Sequence, residues 1–225
     1  MKHFTRQSAE TYETRIKRLI PGYELLQDLT AAKLKTLLPE NTSLLIAGAG
    51  TGMEIRPTAK GNNQWRYSAV DLSPEMLGFA KEQISNDGLN NDIDYFVGDM
   101  KEQTFTKTHN AALSLFVLHF IPDDGSKLAF LKKIRSSLKD KSYFISADLT
   151  EHKDQSLLNA YHTWLKQNAG HSDDQIKNII ENMSENFHPL SSERYNELLS
   201  EAGFQPATTF FQSFVYKAYI TAAKN

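Results

Sequence analysis

Apolar positions along this chain follow two periods, and the switch between them outlines the architecture. Tyr12, Ile16, Leu19 and Ile20 fall on one helical face, Pro21-Gly22 breaks that helix, and a second apolar-periodic segment runs from about Tyr23 to Leu38. Short apolar runs then take over at Ser43–Ala47, Trp65–Asp71, Ile93–Gly98, Ala111–Phe116 and Tyr143–Asp148, each bounded by turn residues as strands are. Between them, Ser73-Pro74-Glu75 marks a helix start: serine caps, proline fits the first turn where its missing N–H costs nothing, and the carboxylate complements the helix dipole. Met76, Leu77, Ala80 and Ile84 continue that helix on one face, and Leu128, Leu131, Ile134 and Leu138 mark another. Apolar strands alternating with amphipathic helices predict a parallel sheet covered on both faces.

The alternation lapses after Leu149. Leu157, Leu158, Tyr161 and Leu165, then Ile176, Ile179, Ile180 and Met183, predict two consecutive helices separated by Ala169-Gly170-His171-Ser172, with no strand between. A helix over Ser192–Ala202, stopped by Gly203, precedes two strands, Gln205–Gln212 and Phe214–Ala222, whose short link predicts antiparallel pairing. The expected fold is a three-layer α/β/α sandwich around a mostly parallel seven-stranded sheet. The economical domain reading is one unit over 1–225, with a helical preface at 1–40 and a helical cap inserted at about 151–190.

The first strand carries the main chemical signal, because Leu44-Leu45-Ile46-Ala47 runs straight into Gly48-Ala49-Gly50-Thr51-Gly52. Alternating glycines let bare backbone approach a ligand, and a helix that follows would aim its N-terminal amides there. This predicts a nucleotide-type cofactor at the carboxyl edge of the sheet. The position that a dinucleotide fingerprint needs small is Met53, which weakens a nicotinamide reading, and no Gly-Lys-Ser/Thr follows for a P-loop. Asp71 ends the second strand, 19 residues beyond Gly52, where a carboxylate accepts the hydroxyls of a ribose; alone, it reads equally as a helix-start aspartate binding local amides.

Glycines at this spacing after a strand, with Asp71 and the strand pair at the C-terminus, resemble the Rossmann-like class of S-adenosylmethionine (SAM) methyltransferases over nearly the whole chain. The resemblance implies a last strand inserted antiparallel, SAM as cofactor and S-adenosylhomocysteine (SAH) as product. It implies a cofactor site of Tyr23, Gly48, Ala49, Gly50, Gly52, Asp71, Leu72, Met76, Asp99, Met100 and Leu115. In that site Asp99 would take the adenine amino group and the Met100 backbone amide the ring; judged alone, Asp99 is a turn residue after a strand. Pro21-Gly22-Tyr23, Ala202-Gly203-Phe204 and Phe211-Gln212-Ser213-Phe214 are similar to one subgroup, the carboxy-SAM synthases. Where those synthases carry a carboxylate-binding arginine this chain has Leu198, and where they carry a cofactor-facing asparagine it has Leu115; Arg194 lies one helical turn from the first. The family's acidic residue two positions before the first glycine is here Ile46, with Arg15 and Tyr12 on the preface as candidate substitutes.

Methyl transfer from a sulfonium is an in-line displacement that needs positioning, and a base where the nucleophile must lose a proton. His119, after the fourth strand, is the candidate catalytic base; its alternative is a packing histidine bonded to backbone. Tyr161 and Trp164 are candidates for an acceptor wall, although Tyr161 also fits a buried helix face. The absence of cysteine removes thiolate chemistry, and His152, His171 and His188 share no metal-ligand spacing with nearby carboxylates, so no metal is expected. Between Glu151 and Ala202 nine acidic residues face four Lys or Arg, which disfavours a phosphate-backbone clamp and favours a small-molecule methyl acceptor. With a formal charge of −2, no apolar run of membrane length and no apolar signal core, neither nucleic acid nor membrane is the expected partner, and the expected location is cytoplasmic. A cofactor-modifying enzyme and a SAM-binding regulatory protein are the alternative functions.

Overall fold

The computed structural model describes residues 6–151 and 154–225; Met1–Thr5 of the preface and His152 lie outside the described residues. Helices α1 (Arg6–Leu19) and α2 (Tyr23–Leu37) precede strand β1 (Ser43–Ala47). There follow α3 (Ile55–Ala59), β2 (Arg66–Asp71), α4 (Pro74–Asn86), β3 (Ile93–Val97), β4 (His109–Leu115), α5 (Ser126–Ser136) and β5 (Leu138–Leu149). Helices α6 (Gln155–Gln167), α7 (Asp173–Asn186) and α8 (Ser192–Ala202) lead to β6 (Thr208–Ser213) and β7 (Tyr216–Ala222). Single 3-10 turns after β3 (Met100–Glu102) and β4 (Leu118–Phe120) have no counterpart in the sequence pattern, since three residues carry no period.

The strands form one sheet in the order β3-β2-β1-β4-β5-β7-β6. β7 lies between β5 and β6 and is antiparallel to both; the other pairings are parallel. The reversal follows from the two-residue Phe214-Val215 link joining the paired ends Ser213 and Tyr216, which is too short for a crossover. Leu138, expected as the last residue on the face of α5, instead opens β5 opposite His109. It still enters the apolar layer beneath α5 and α8, which is why the helical spacing extended to it.

Alternate residues along each buried strand feed two cores. Leu44, Ile46 and Leu113 pack with Tyr23 and Leu26 of α2, Ile55 of α3, Leu77 of α4 and Tyr161 of α6. Leu45, Ala47 and Ala112 face Leu131 of α5 and Leu198 of α8. Ser73 caps α4 by accepting from the Met76 amide at 3.2 Å, as the Ser-Pro-Glu signature requires. Among the described residues no helix is long and apolar enough to cross a membrane.

The glycine run docks onto β4. Gly48 sits at φ +87°, and a Cβ there would overlap the Val117 side chain. Gly48→Ala therefore combines a left-handed backbone with an overpacked contact, and should destabilise by about 3 kcal/mol. The check is the urea midpoint at unchanged slope; a shift under about 0.5 kcal/mol contradicts this account of the glycine.

Candidate active site

The carboxyl ends of β1, β2, β4 and β5 meet at one edge of the sheet. Asp71 ties two of them together: its Oδ2 accepts from the Gly50 amide at 2.8 Å and its Oδ1 from the Ser73 amide at 2.9 Å. Burial raises its affinity for a proton against these amides, which favour the carboxylate. Gly48 and Ala49 both donate to Val70 O, and Gly52 donates to Ala49 O. The loop is thus held by its own amides. The expected helix that aims free N-terminal amides at a ligand is a single turn, α3, and its Ile55 and Arg56 amides return to Gly52 O. Gly50 keeps its open face: a Cβ there would meet only Met76 Cε, at 3.7 Å.

Most of the other sequence-predicted residues follow the carboxyl ends of strands: Leu72 and Met76 after β2, Asp99 and Met100 after β3, and Leu115 as the last residue of β4. Met76, Met100, Leu115 and Ala49 are buried, while Leu72 is half exposed, at 51%. Asp99 accepts from the Lys101 amide at 2.9 Å and lies 3.4 Å from Lys101 Nζ. Tyr23 is buried and stacks on Phe116 with ring centroids 5.6 Å apart. Phe116, in the left-handed region at φ +61°, directly follows β4 and turns the chain toward His119.

His119 forms the second centre. Its Nδ1 bonds Asp148 Oδ1, and the same carboxylate accepts the Leu118 amide at 2.7 Å, the His119 amide at 3.2 Å and the Leu149 amide at 2.9 Å. Three backbone donors hold that carboxylate ready to orient an imidazole. The ring packs between Phe120 and Phe187, with centroids 4.2 Å and 4.5 Å away, and Nε2 has no bonding partner among the described residues. Lys127 fixes the segment from below, donating to the carbonyls of Leu118, Ile121 and His188. Burial draws its amine down to about 8, yet three carbonyl acceptors call for all three protons of the ammonium. Lys127, Ser146, Asp148, Thr150 and Tyr195 line a cavity of about 20 Å³ behind the histidine, room for roughly one water.

A third group was not legible beforehand. Glu54, two residues past Gly52, is only 6% exposed, and Gln27 Nε2 donates to its Oε1 at 3.5 Å. It lies near enough to Tyr12, Tyr23 and Asp71 for its charge to act on each. Burial pushes its carboxyl up to about 8. The only sequence signal for it is an acid between Met53 and Ile55 directly after the glycines, at a position to which the glycine motif assigns no residue.

Three expectations change. Tyr161 is buried, with its hydroxyl donating to Leu19 O at 2.8 Å and lying 3.2 Å from the Tyr216 hydroxyl, so it joins α6 to the preface instead of walling an acceptor. Trp164 packs, partly buried, against the same core. Arg194, placed near the position of the synthase arginine, is held outside by Asp123 at 2.9 Å and Glu197 at 2.9 Å, while Leu198 packs inward. Arg15 stacks over the Tyr12 ring, 5.8 Å from its centroid. Among the described residues no three His, Asp or Glu side chains group as a metal site.

Residues 44–141, from the strand that feeds the glycines to the start of β5, match the methyltransferase domain family. That segment matches a methyltransferase family model, and the chain has the Rossmann-like fold of class I methyltransferases. The carboxy-S-adenosyl-L-methionine synthase of Shewanella amazonensis is 26% identical to it, over 96% of this chain and 90% of the relative. A provisionally assigned O-methyltransferase from Nostoc punctiforme has the same fold at a TM-score of 0.71 and 18% identity, covering 96% of this chain, which spans only 59% of that longer protein. Magnesium protoporphyrin IX methyltransferase from Synechocystis with bound SAH superposes at 0.66 and 17% identity, covering 92% of this chain and 86% of that one. The matched segment contains the glycine loop, Asp71, Asp99 and His119, whereas Asp148 lies beyond it.

The Glu54 environment yields a pH signature. A carboxyl whose folded affinity for protons exceeds its unfolded value stabilises fully below the unfolded value, 4.5, and loses that contribution as pH rises through about 8. Glu54→Gln removes the titration. The variant should gain on the wild type in melting temperature as pH rises from about 5 to about 8. A constant difference across that window would show that Glu54 titrates normally.

Proposed function

We propose that this protein transfers a methyl group from SAM to a small-molecule acceptor, with His119 as the base and Asp148 as the group that orients it. The observation that carries the reading is the glycine loop locked to Asp71 beside a buried His119–Asp148 pair, both at the carboxyl edge where this fold class binds ligands. The residues fit the cofactor. Gly50 is open, Asp71 has lone pairs left beyond its two amide bonds for ribose hydroxyls, and exposed Leu72 offers an apolar side beside them. Asp99 stands at the adjoining strand end for the adenine amino group, Met100 is buried beside it, and Tyr23 closes the preface side.

SAM supplies an electrophilic methyl on a sulfonium. This chain's residues hold the donor and acceptor in line, and His119 Nε2 takes the proton of an acceptor hydroxyl or amine as the new bond to carbon forms. The carbon–sulfur electron pair stays on sulfur, and the product is SAH. Asp148, bonded to Nδ1, fixes the tautomer that leaves Nε2 as the acceptor and stabilises the imidazolium. The acidic balance of the cap region suits a small organic acceptor better than a phosphate backbone. A synthase-type reaction has less support: Leu198 and Leu115 are buried apolar side chains, and Arg194 is engaged by Asp123 and Glu197.

Calorimetric titration with SAM, SAH and NAD tests the class. SAM and SAH should bind and NAD should not; NAD binding without SAM would overturn the proposal. Asp71→Ala should weaken SAH by about 10- to 100-fold, the loss expected for a hydrogen bond to a charged group. Once an acceptor is in hand, His119→Ala should lower kcat by about 10²- to 10⁴-fold with SAH affinity unchanged. Full turnover in that variant would remove the base.

A further inference from the structure

Ile46 stands where an acid would normally serve the methionine end of SAM, and the structure shows what occupies the space. The Ile46 side chain enters the apolar layer under α2, and from that same side Gln27 of α2 and Glu54 beyond the glycine loop approach each other. We propose that Glu54 and Gln27 form the binding site for the primary ammonium of the cofactor's methionine moiety, replacing the acid missing from β1. The inference rests on the SAM reading above.

Two observations point to a cation there. Gln27 is 4% exposed, its Nε2 faces Glu54, and its Oε1 is buried without a partner. An orphaned buried acceptor is costly, and turning the amide over would only exchange it for an orphaned donor. Next, Glu54 is a buried carboxylate whose charged neighbours, Asp71 from the end of β2 and Glu13 from α1, are both acidic, with Glu13 itself answered by Arg56 at 3.0 Å. The other groups facing it are the phenols of Tyr12 and Tyr23, the Gln27 amide and its own backbone N–H. A primary ammonium donates both to the orphaned Gln27 Oε1 and to the Glu54 carboxylate, and its charge offsets that carboxylate.

The site also couples binding to proton release. In the free protein burial holds the Glu54 carboxyl protonated at neutral pH, because its affinity is pushed up to about 8. An ammonium placed against it favours the carboxylate, so at pH 7 each bound ligand should expel about one proton.

The test is calorimetry on the full chain at pH 7, in two buffers of different ionisation enthalpy, with SAH and with its analogue bearing hydrogen in place of the α-amino group. Wild type should bind SAH at least about 10-fold more tightly than the analogue and release about one proton with SAH only. Glu54→Gln should bring the two ligands within about 3-fold, abolish the release, and bind the analogue as wild type does, which also shows that it folds. Gln27→Leu should narrow the preference while keeping the release. A wild-type preference and proton release in Glu54→Gln would overturn the site while leaving SAM binding intact. Failure of wild type to bind either ligand would instead overturn the SAM reading, and this inference with it.

Discussion

The bond from the Gly50 amide to the Asp71 carboxylate is the interaction on which the site's geometry depends. Neighbouring parallel strands end side by side with nothing beyond their last ladder bonds to fix the departing chains, so the loops that leave them must be secured by other groups. Asp71 does this for the first pair: one oxygen holds the loop leaving β1 and the other holds the start of α4. Gly48 and Ala49 complete the junction by donating to Val70 O on β2. With these amides occupied, the loop's shape is set before any ligand arrives, and the remaining carboxylate lone pairs face the space beyond it. Pre-organisation of this kind lowers the ordering cost of binding.

The same device recurs along the edge. Asp99 after β3 accepts the amide two residues on, and Asp148 at the end of β5 accepts amides from its own strand and from the 3-10 turn after β4. Each acid first solves a local backbone problem and then has capacity to spare. The local reading of these aspartates is met by the amide bonds, and on the proposed function the orientation those bonds impose also serves ligand recognition. At Asp148 the spare capacity is already committed, to His119 Nδ1, and the imidazole carries the effect outward.

Much of this was legible in the sequence because it repeats with a period. β1 over Ser43–Ala47 and α8 over Ser192–Ala202 appear at the expected residues, and the Ser73 cap sits where Ser-Pro-Glu placed it. The Gly48 run gave the loop and the strand-end aspartates gave the edge. What escaped notice depends on tertiary neighbours. Asp148 closes an apolar run, but its tie to His119 spans 29 residues and has no local signature. Lys127 reads as one cation in a basic helix, yet it is fully buried because three carbonyls from two separate loops converge on it. Tyr161 suited either a core face or an acceptor wall, and the choice rested on Leu19 and Tyr216, which no spacing rule brings near.

On the proposed reading, Ile46 and Glu54 represent an exchange of parts within the scaffold. An acid on β1 is fixed by the strand but must be buried inside the sheet's apolar layer; isoleucine at that position packs with Leu44 and Tyr23 at no desolvation cost. Moving the acid to the residue before α3 keeps it at the glycine loop, where Gln27 reaches it from α2 and its own amide bonds it. The Glu54 carboxyl is buried too and holds its proton up to about pH 8, so on the proposed reading its charge forms when a cation is there to meet it. In that arrangement α2 becomes part of the ligand site through Gln27 and Tyr23, one helical turn apart on a single face. The preface then acts on binding through the same residues that bury it.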